Sequence, residues 1–216
     1  MKTVALEQAV AMIPDGASLM IGGFMGVGTP ERLMDELARQ GKRELTIIAN
    51  DTAVPGRGIG KLVAAGAVRK AIVSHIGLNP ETQQKMIAGE IAVELVPQGT
   101  LIERLRAAGY GLGGILTPTG VGTQVQEGKR QIDVDGRAYL LETALGADFA
   151  LVEAFLSDYY GNLVYALTAR NFNPIIAMAA KTVIVDAAHI VPVGMIAPDH
   201  VVTPAVLVDY VIAHAS

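Results

Sequence analysis

The sequence predicts an α/β protein: a three-layer α/β/α arrangement around a mixed, mostly parallel sheet, with antiparallel strands added at one side. Three observations predict it. Short apolar, β-branched runs alternate with helical patterns through the first half of the 216 residues, the pattern of crossover units with helices on both sheet faces. Thr29-Pro30, Asn79-Pro80 and Asn173-Pro174 each put a capping side chain before a proline, a helix start in which the missing N–H costs nothing. Asp135-Gly136 divides an alternating run over 131–141, a hairpin turn signal.

In chain order, the patterns predict a helix over 3–13, a strand over 18–21 and a helix over 31–39. Strands over 45–49 and 71–74 flank a short helix over 59–65. A helix over 80–88, a strand over 92–96 and a helix over 100–107 follow. The stretch 109–122 is rich in Gly, Thr and Pro and lacks a period, so a long structured loop is expected there; such loops often carry function. Beyond the hairpin, strands are expected over 148–155 and 162–168, a helix over 175–180, and closing segments over 182–185 and 205–212. No linker or repeat divides the chain, so a single domain over 1–216 is expected.

Composition narrows the function. A net charge of −4 with scattered Lys and Arg argues against a nucleic-acid partner. Cysteine is absent, which removes disulfides, thiolate nucleophiles and cysteine metal sites. Hydrophobic residues make up 51% of the chain, yet no run approaches the ~18 apolar residues of a membrane span. The excess fits strands buried on both faces or a large subunit interface. With neither a membrane segment nor a signal-like apolar core near Met1, a cytoplasmic location is expected.

The richest local signal runs from Asp15 to Pro30. A turn feeds an apolar strand, and Gly22, Gly23, Phe24, Met25, Gly26, Val27 and Gly28 then lead into a helix. Glycines there let backbone N–H groups approach an anion, and a helix N-terminus favours negative charge. A tight strand-to-helix connection explains the same residues equally well. No Lys-Ser/Thr pair follows, so this is not a nucleotide P-loop. Gly109-Tyr110-Gly111-Leu112-Gly113-Gly114 matches G-x-G-x-x-G, but a helix precedes it, which excludes a dinucleotide fingerprint.

Asn50-Asp51 follows one predicted strand and Gln98 another; His75 ends a third. Ligands in open α/β sheets bind beyond the carboxyl ends of the strands. Residues 22–28, Asn50, Asp51, His75 and Gln98 are therefore expected to converge at one edge, where the Asn50 and Gln98 amides can either face a developing oxyanion or tie down loops. His75, His189, His200 and His214 lack metal-ligand spacing, so no metal site is expected.

The run 15–30, with Gly-Gly-Phe, three residues and Gly-x-Pro, resembles the signature of family I CoA-transferases. The likeness extends through Ala49-Asn50-Asp51, Ser74-His75-Ile76-Gly77, Val96-Pro97-Gln98-Gly99-Thr100 and Thr117-Pro118-Thr119-Gly120. It continues in Ala147-Asp148-Phe149, Gly161-Asn162-Leu163 and Ala169-Arg170-Asn171-Phe172-Asn173. It is most similar to alpha subunits of the acetate or acetoacetate (short-chain 3-oxoacid) type.

This resemblance implies the fold shared with certain sugar-phosphate isomerases, an α2β2 assembly with a beta subunit, and a small carboxylate as substrate. No permanently bound cofactor is implied; coenzyme A or acyl-CoA is the substrate, handled through a glutamyl-CoA thioester. The family's catalytic glutamate lies in the beta half, in a Ser-Glu-Asn-Gly-type motif, and no Glu-Asn-Gly occurs here. Residues 22–28 would face CoA, and Asn50 and Gln98 would line the acyl pocket. Two competing readings are a sugar-phosphate isomerase or sensor domain of the same fold, and a regulatory subunit that binds acyl-CoA without exchanging it.

Overall fold

The computed structural model describes residues 2–213, Lys2 by its backbone alone; His214 lies outside the described residues. The first half runs β1 (Lys2–Val4), α1 (Leu6–Ala11), β2 (Ser18–Ile21), α2 (Glu31–Arg39), β3 (Leu45–Asp51) and α3 (Ile59–Ala64). It continues with β4 (Val68–His75), α4 (Pro80–Ile87), β5 (Ala92–Leu95) and α5 (Gln98–Gly109). Three strands follow, β6 (Gly114–Thr117), β7 (Gln131–Val134) and β8 (Arg137–Thr143). The chain then makes β9 (Ala147–Asp158), β10 (Leu163–Val164), α6 (Asn173–Ala179), β11 (Ala180–Val191) and β12 (Tyr210–Ile212).

The main sheet runs in the order β1-β12-β11-β9-β2-β3-β4-β5, with β10 added to β9. Every pairing along that path is parallel, and β10 alone is antiparallel. Its strands read as continuous apolar runs because both faces are covered. Alternate residues feed two cores. Leu19, Ile21, Ile47, Ala49, Ala71 and Val73 pack with Val10, Leu33, Leu37 and Leu62 from the first three helices. Met20, Ile48 and Ile72 face the other way, against Leu101 and Leu105 of α5 and Ile176 of α6.

Several expectations change. The helix expected over 3–13 is a strand followed by a shorter helix, because Thr3 and Val4 pair with Val211 and Ile212 at the far end of the chain. The loop expected over 109–122 contains β6, which pairs with β8; a Cβ on Gly114 would lie 2.4 Å from the Glu142 carbonyl oxygen. Of the antiparallel strands, β10 adds to the main sheet at β9, as expected, and β6, β8 and β7 form a second sheet. Expected strand 162–168 keeps only Leu163–Val164 before a 3₁₀ turn at Leu167–Arg170. Strand β11 is far longer than 182–185, and 205–212 divides into a 3₁₀ turn and β12.

Of the three proline-marked starts, Asn79 caps α4 as expected, accepting from the Thr82 N–H at 3.2 Å. Thr29 does not cap α2, since Pro30 takes that place and the Thr29 hydroxyl donates back to the Gly22 carbonyl. Asn173 lies inside α6, behind Phe172, and its side chain reaches across to other segments. No helix among the described residues is long and apolar enough to cross a membrane.

At the amino edge of the sheet, Asp148 joins the starts of three strands. Its carboxylate accepts the Ser18 hydroxyl at 2.7 Å, the Ser18 N–H at 3.1 Å and the Lys181 ammonium at 2.9 Å. The Ser18 hydroxyl above all, then Lys181, holds its pKa down to about 2. An unfolded Asp titrates near ~3.9, so the contribution is complete above that value and is lost as pH falls through the folded pKa. Asp148→Asn should therefore lower the melting temperature at neutral pH. The gap from wild type should shrink as pH is taken from above 4 toward about 2; a gap that stays constant across that range would contradict this.

Candidate active site

The glycine-rich segment leaves β2 at the carboxyl edge of the sheet. Phe24 and Val27 exchange backbone hydrogen bonds of 3.0 and 2.9 Å, closing a two-residue turn. Both central residues have positive φ, Met25 at 52° and Gly26 at 81°, the primed geometry that favours glycine. Left-handed backbone costs a non-glycine residue roughly 1–2 kcal/mol, so Met25 is held there by something else. The Asp51 carboxylate accepts its N–H at 3.0 Å.

Asp51 organises this edge. It is 4% exposed and accepts from three segments. One oxygen takes the Met25 N–H and the Asn50 side-chain amide (2.7 Å), and the other takes the Ala53 N–H (2.7 Å). Ala53 is also left-handed, at φ 55°. Asn50 is fully buried, its side chain and carbonyl both receiving the Ser74 hydroxyl. His75 lies in register with Asp51 on the neighbouring strand.

The opposite side of the segment is held by two asparagines. Asn171 accepts the Gly23 N–H at 3.1 Å and donates to the Val27 carbonyl at 2.9 Å. Asn173 donates to the carbonyls of Gly28 and Ala169 and accepts the Glu153 N–H. Gly22 lies so close that a Cβ there would stand 1.9 Å from the Asn173 side-chain oxygen. The glycine is thus required by packing.

These bonds decide how the segment can meet a ligand. The N–H groups of Gly22, Gly23, Phe24, Met25 and Val27 already have protein acceptors, so five of the seven backbone donors of residues 22–28 are not free to cradle an anion. The segment presents side chains instead: Phe24, Met25 and Val27 are each roughly two-fifths exposed. They line a cavity of about 690 Å³ together with Arg57, Thr168, Arg170 and Asn171. An apolar wall sharing one cavity with two guanidinium groups suits a partly apolar ligand with negative charge.

The structure brings residues 22–28, Asn50 and Asp51 into one hydrogen-bonded unit. Gln98 is exposed on the first turn of α5 and does not bond to that unit among the described residues. Arg57 and Thr168 have no part in the reading of the sequence, and Arg170 enters it only within the run 169–173. Arg57 could have been found: it sits between glycines in the loop after β3, where ligands gather in such sheets. Among the described residues, no group of His, Asp and Glu is placed to hold a metal ion.

Two glutamates of the chain, Glu94 and Glu142, are held in ion pairs. Glu94 meets Lys70 at 2.8 Å, and buried Glu142 meets Lys129 at 2.5 Å. Glu153 has no side-chain hydrogen bond or ion pair among the described residues; burial, then Asp186 and Glu31, push its carboxyl above the usual range. It lines a separate cavity of about 290 Å³ with Arg32 and Asp186.

The Gly22–Asn173 contact is open to test. Gly22→Ala should cost about 1–3 kcal/mol by overpacking. Combining it with Asn173→Ala should cost less than the sum of the two single changes, because they share one contact. Urea melts of the four proteins read the coupling, and strict additivity would remove the contact from the account.

Comparison with known proteins agrees with this geometry. The chain is 54% identical to the acetate CoA-transferase subunit alpha of Escherichia coli K12, over 98% of this chain and 96% of that one. It is 47% identical to the acetoacetyl-CoA:acetate/butyrate CoA transferase alpha subunit of Clostridium acetobutylicum, over 98% and 97% of the two chains. A solved acyl-CoA transferase of Escherichia coli O157:H7, in a thioester complex with CoA, superposes with a TM-score of 0.87 at 26% identity. That match covers 99% of this chain and 47% of the solved one, so this chain spans about half its length. The coenzyme A transferase family profile matches residues 3–214. This chain belongs to the coenzyme A transferase family.

Proposed function

We propose that the chain is the alpha subunit of a heteromeric acyl-CoA:carboxylate CoA-transferase, acting as one domain in an α2β2 assembly and moving CoA between short acids of the acetate and acetoacetate type. The observation that carries this reading is the composition of the cleft. Its wall of Phe24, Met25 and Val27 with Arg57 and Arg170 contains no carboxylate, so it has the means to hold an acyl-CoA but not the nucleophile. The high identity to two alpha subunits along nearly their whole length supports a separate beta subunit as the source of that group.

In this scheme a partner glutamate attacks the thioester carbonyl and CoA thiolate leaves, giving an acyl-glutamyl anhydride. The thiolate then attacks the glutamyl carbonyl, releasing the first acid and leaving a glutamyl-CoA thioester. The second acid reverses both steps, so one difficult transfer becomes several easier ones. Residues 22–28 contact the pantetheine arm, and Arg57 and Arg170 face the phosphates. Gln98 donates its amide to the carbonyl oxygen as charge develops there. Asn50, buried and bonded to Asp51, steadies this edge of the acyl pocket.

Acyl exchange between acetyl-CoA and acetoacetate should appear only when the chain is mixed with its beta partner. Activity in the pure chain would overturn the split site and make Glu153 the first residue to examine. No exchange in the mixture, across several short acids, would overturn the transferase reading. In the active mixture, Gln98→Ala should lower kcat about a hundredfold while assembly is retained; unchanged turnover would remove Gln98 from the mechanism.

A further inference from the structure

Arg57 brings positive charge into the cleft from the loop after β3. Among the described residues its guanidinium makes no hydrogen bond, and its one ion pair is with Glu31 at 3.9 Å, beyond hydrogen-bond reach. The donors of this side chain are left for a ligand. A long, half-exposed arm on a loop needs something to hold it in the cleft.

Three sets of contacts do so. The Arg57 N–H donates to the Val54 carbonyl at 3.2 Å and its carbonyl accepts the Gly60 N–H at 2.9 Å, so two consecutive turns share this residue. The next residue, Gly58, stands before α3 with φ at 50°, and its N–H meets both oxygens of the Glu31 carboxylate, at 2.9 and 3.2 Å. The arm itself lies across Gly26: a Cβ there would stand 3.0 Å from Arg57 Nε and 3.1 Å from its Cδ. Glycine at that position leaves the room the arm occupies.

Glu31 is the first residue of α2, three positions beyond the glycine-rich segment. Besides the Gly58 N–H, its carboxylate takes the Lys61 ammonium at 2.7 Å. Lys61 is also held by Asp35, one turn along α2, at 2.7 Å. Lys61 thus keeps an anchor without Glu31, whereas the Gly58 N–H has no other acceptor among the described residues. A carboxylate on a backbone N–H makes a strong, charge-assisted bond. Glu31 is not among the residues lining the cleft, so its effect there passes through Gly58 and Arg57.

We propose that Glu31 is a positioning residue for acyl-CoA: it fixes the loop that carries Arg57, so that the guanidinium faces the cleft before the ligand arrives. This rests on the transferase reading, in which the anionic part of the ligand is the phosphate portion of an acyl-CoA. Holding the arm in advance lowers the cost of ordering it on binding. The benefit reaches only a ligand that has phosphates for Arg57 to meet.

Rates of the assembled enzyme with acetyl-CoA and with S-acetylpantetheine, a thioester of the same arm that lacks the phosphates beyond it, test this. Arg57→Ala should lower kcat/KM for acetyl-CoA about tenfold and Glu31→Ala about fivefold, with the values for acetylpantetheine unchanged. The double variant should be no worse than Arg57→Ala, because the two act as one unit. Glu31→Gln keeps an acceptor for the Gly58 N–H and should recover part of the loss; it carries the same comparison if Glu31→Ala does not fold. Asp35→Ala, which loosens Lys61 alone, should behave as wild type. An unchanged value for acetyl-CoA, an equal fall for both thioesters, or additive losses would overturn the role. Calorimetric binding of CoA to the assembled protein reads it without turnover. Equal affinity in wild type and Glu31→Ala overturns it, while weaker binding in Glu31→Ala, in an assembly whose wild type exchanges no CoA, would contradict the transferase reading and leave the role of Glu31 standing.

Discussion

The carboxyl edge of this protein depends on one buried carboxylate, that of Asp51, which has no ion pair among the described residues. Asp51 is satisfied by three N–H donors drawn from the glycine-rich turn, its own strand end and the loop after β3. Two of those donors, Met25 and Ala53, stand in left-handed backbone. The strain of each is offset by a hydrogen bond to a charged acceptor, a class worth about 1.5–3 kcal/mol. Removing the carboxylate would release both turns together and leave the Asn50 amide without its partner. The carboxylate therefore shapes the cleft through the turns it holds.

The cleft is clamped from two sides. Asp51 grips the glycine-rich segment from the strand β3 side, and Asn171 and Asn173 grip it from the segment leading into α6. That grip takes the Gly23 and Met25 N–H groups and the Val27 and Gly28 carbonyls, and the side chains of Phe24, Met25 and Val27 line the cavity with the two arginines. An apolar wall held in place by these bonds, with two guanidinium groups in the same cavity, suits a ligand that is part anionic and part apolar. Pre-organising such a wall lowers the cost of ordering it on binding.

The short apolar runs alternating with helical patterns were enough to predict a sheet covered on both faces, and Ile47 and Ile48 do enter different cores. Local chemistry was reliable where both partners are local, as in the Asn79 cap and the Asp135-Gly136 turn. It failed where a distant segment decides the outcome. Val4 becomes a strand because Ile212 pairs with it, and Asn173 gives up capping because Gly28 and Glu153 lie across from it. The site was half legible for the same reason: the glycines announced a tight connection, but their neighbours, Asn171 and Asn173, are almost 150 residues away in sequence. Arg170 and Thr168 join the cleft only through that long-range contact.

The central claim is that this chain provides the wall of an active site whose nucleophile belongs to another subunit. The most direct measurement is the intact mass of each subunit after the assembled enzyme is incubated with acetyl-CoA and the thioester intermediate is trapped. The account predicts a CoA adduct on the beta subunit and an unmodified mass for this chain. A CoA adduct on this chain would contradict it.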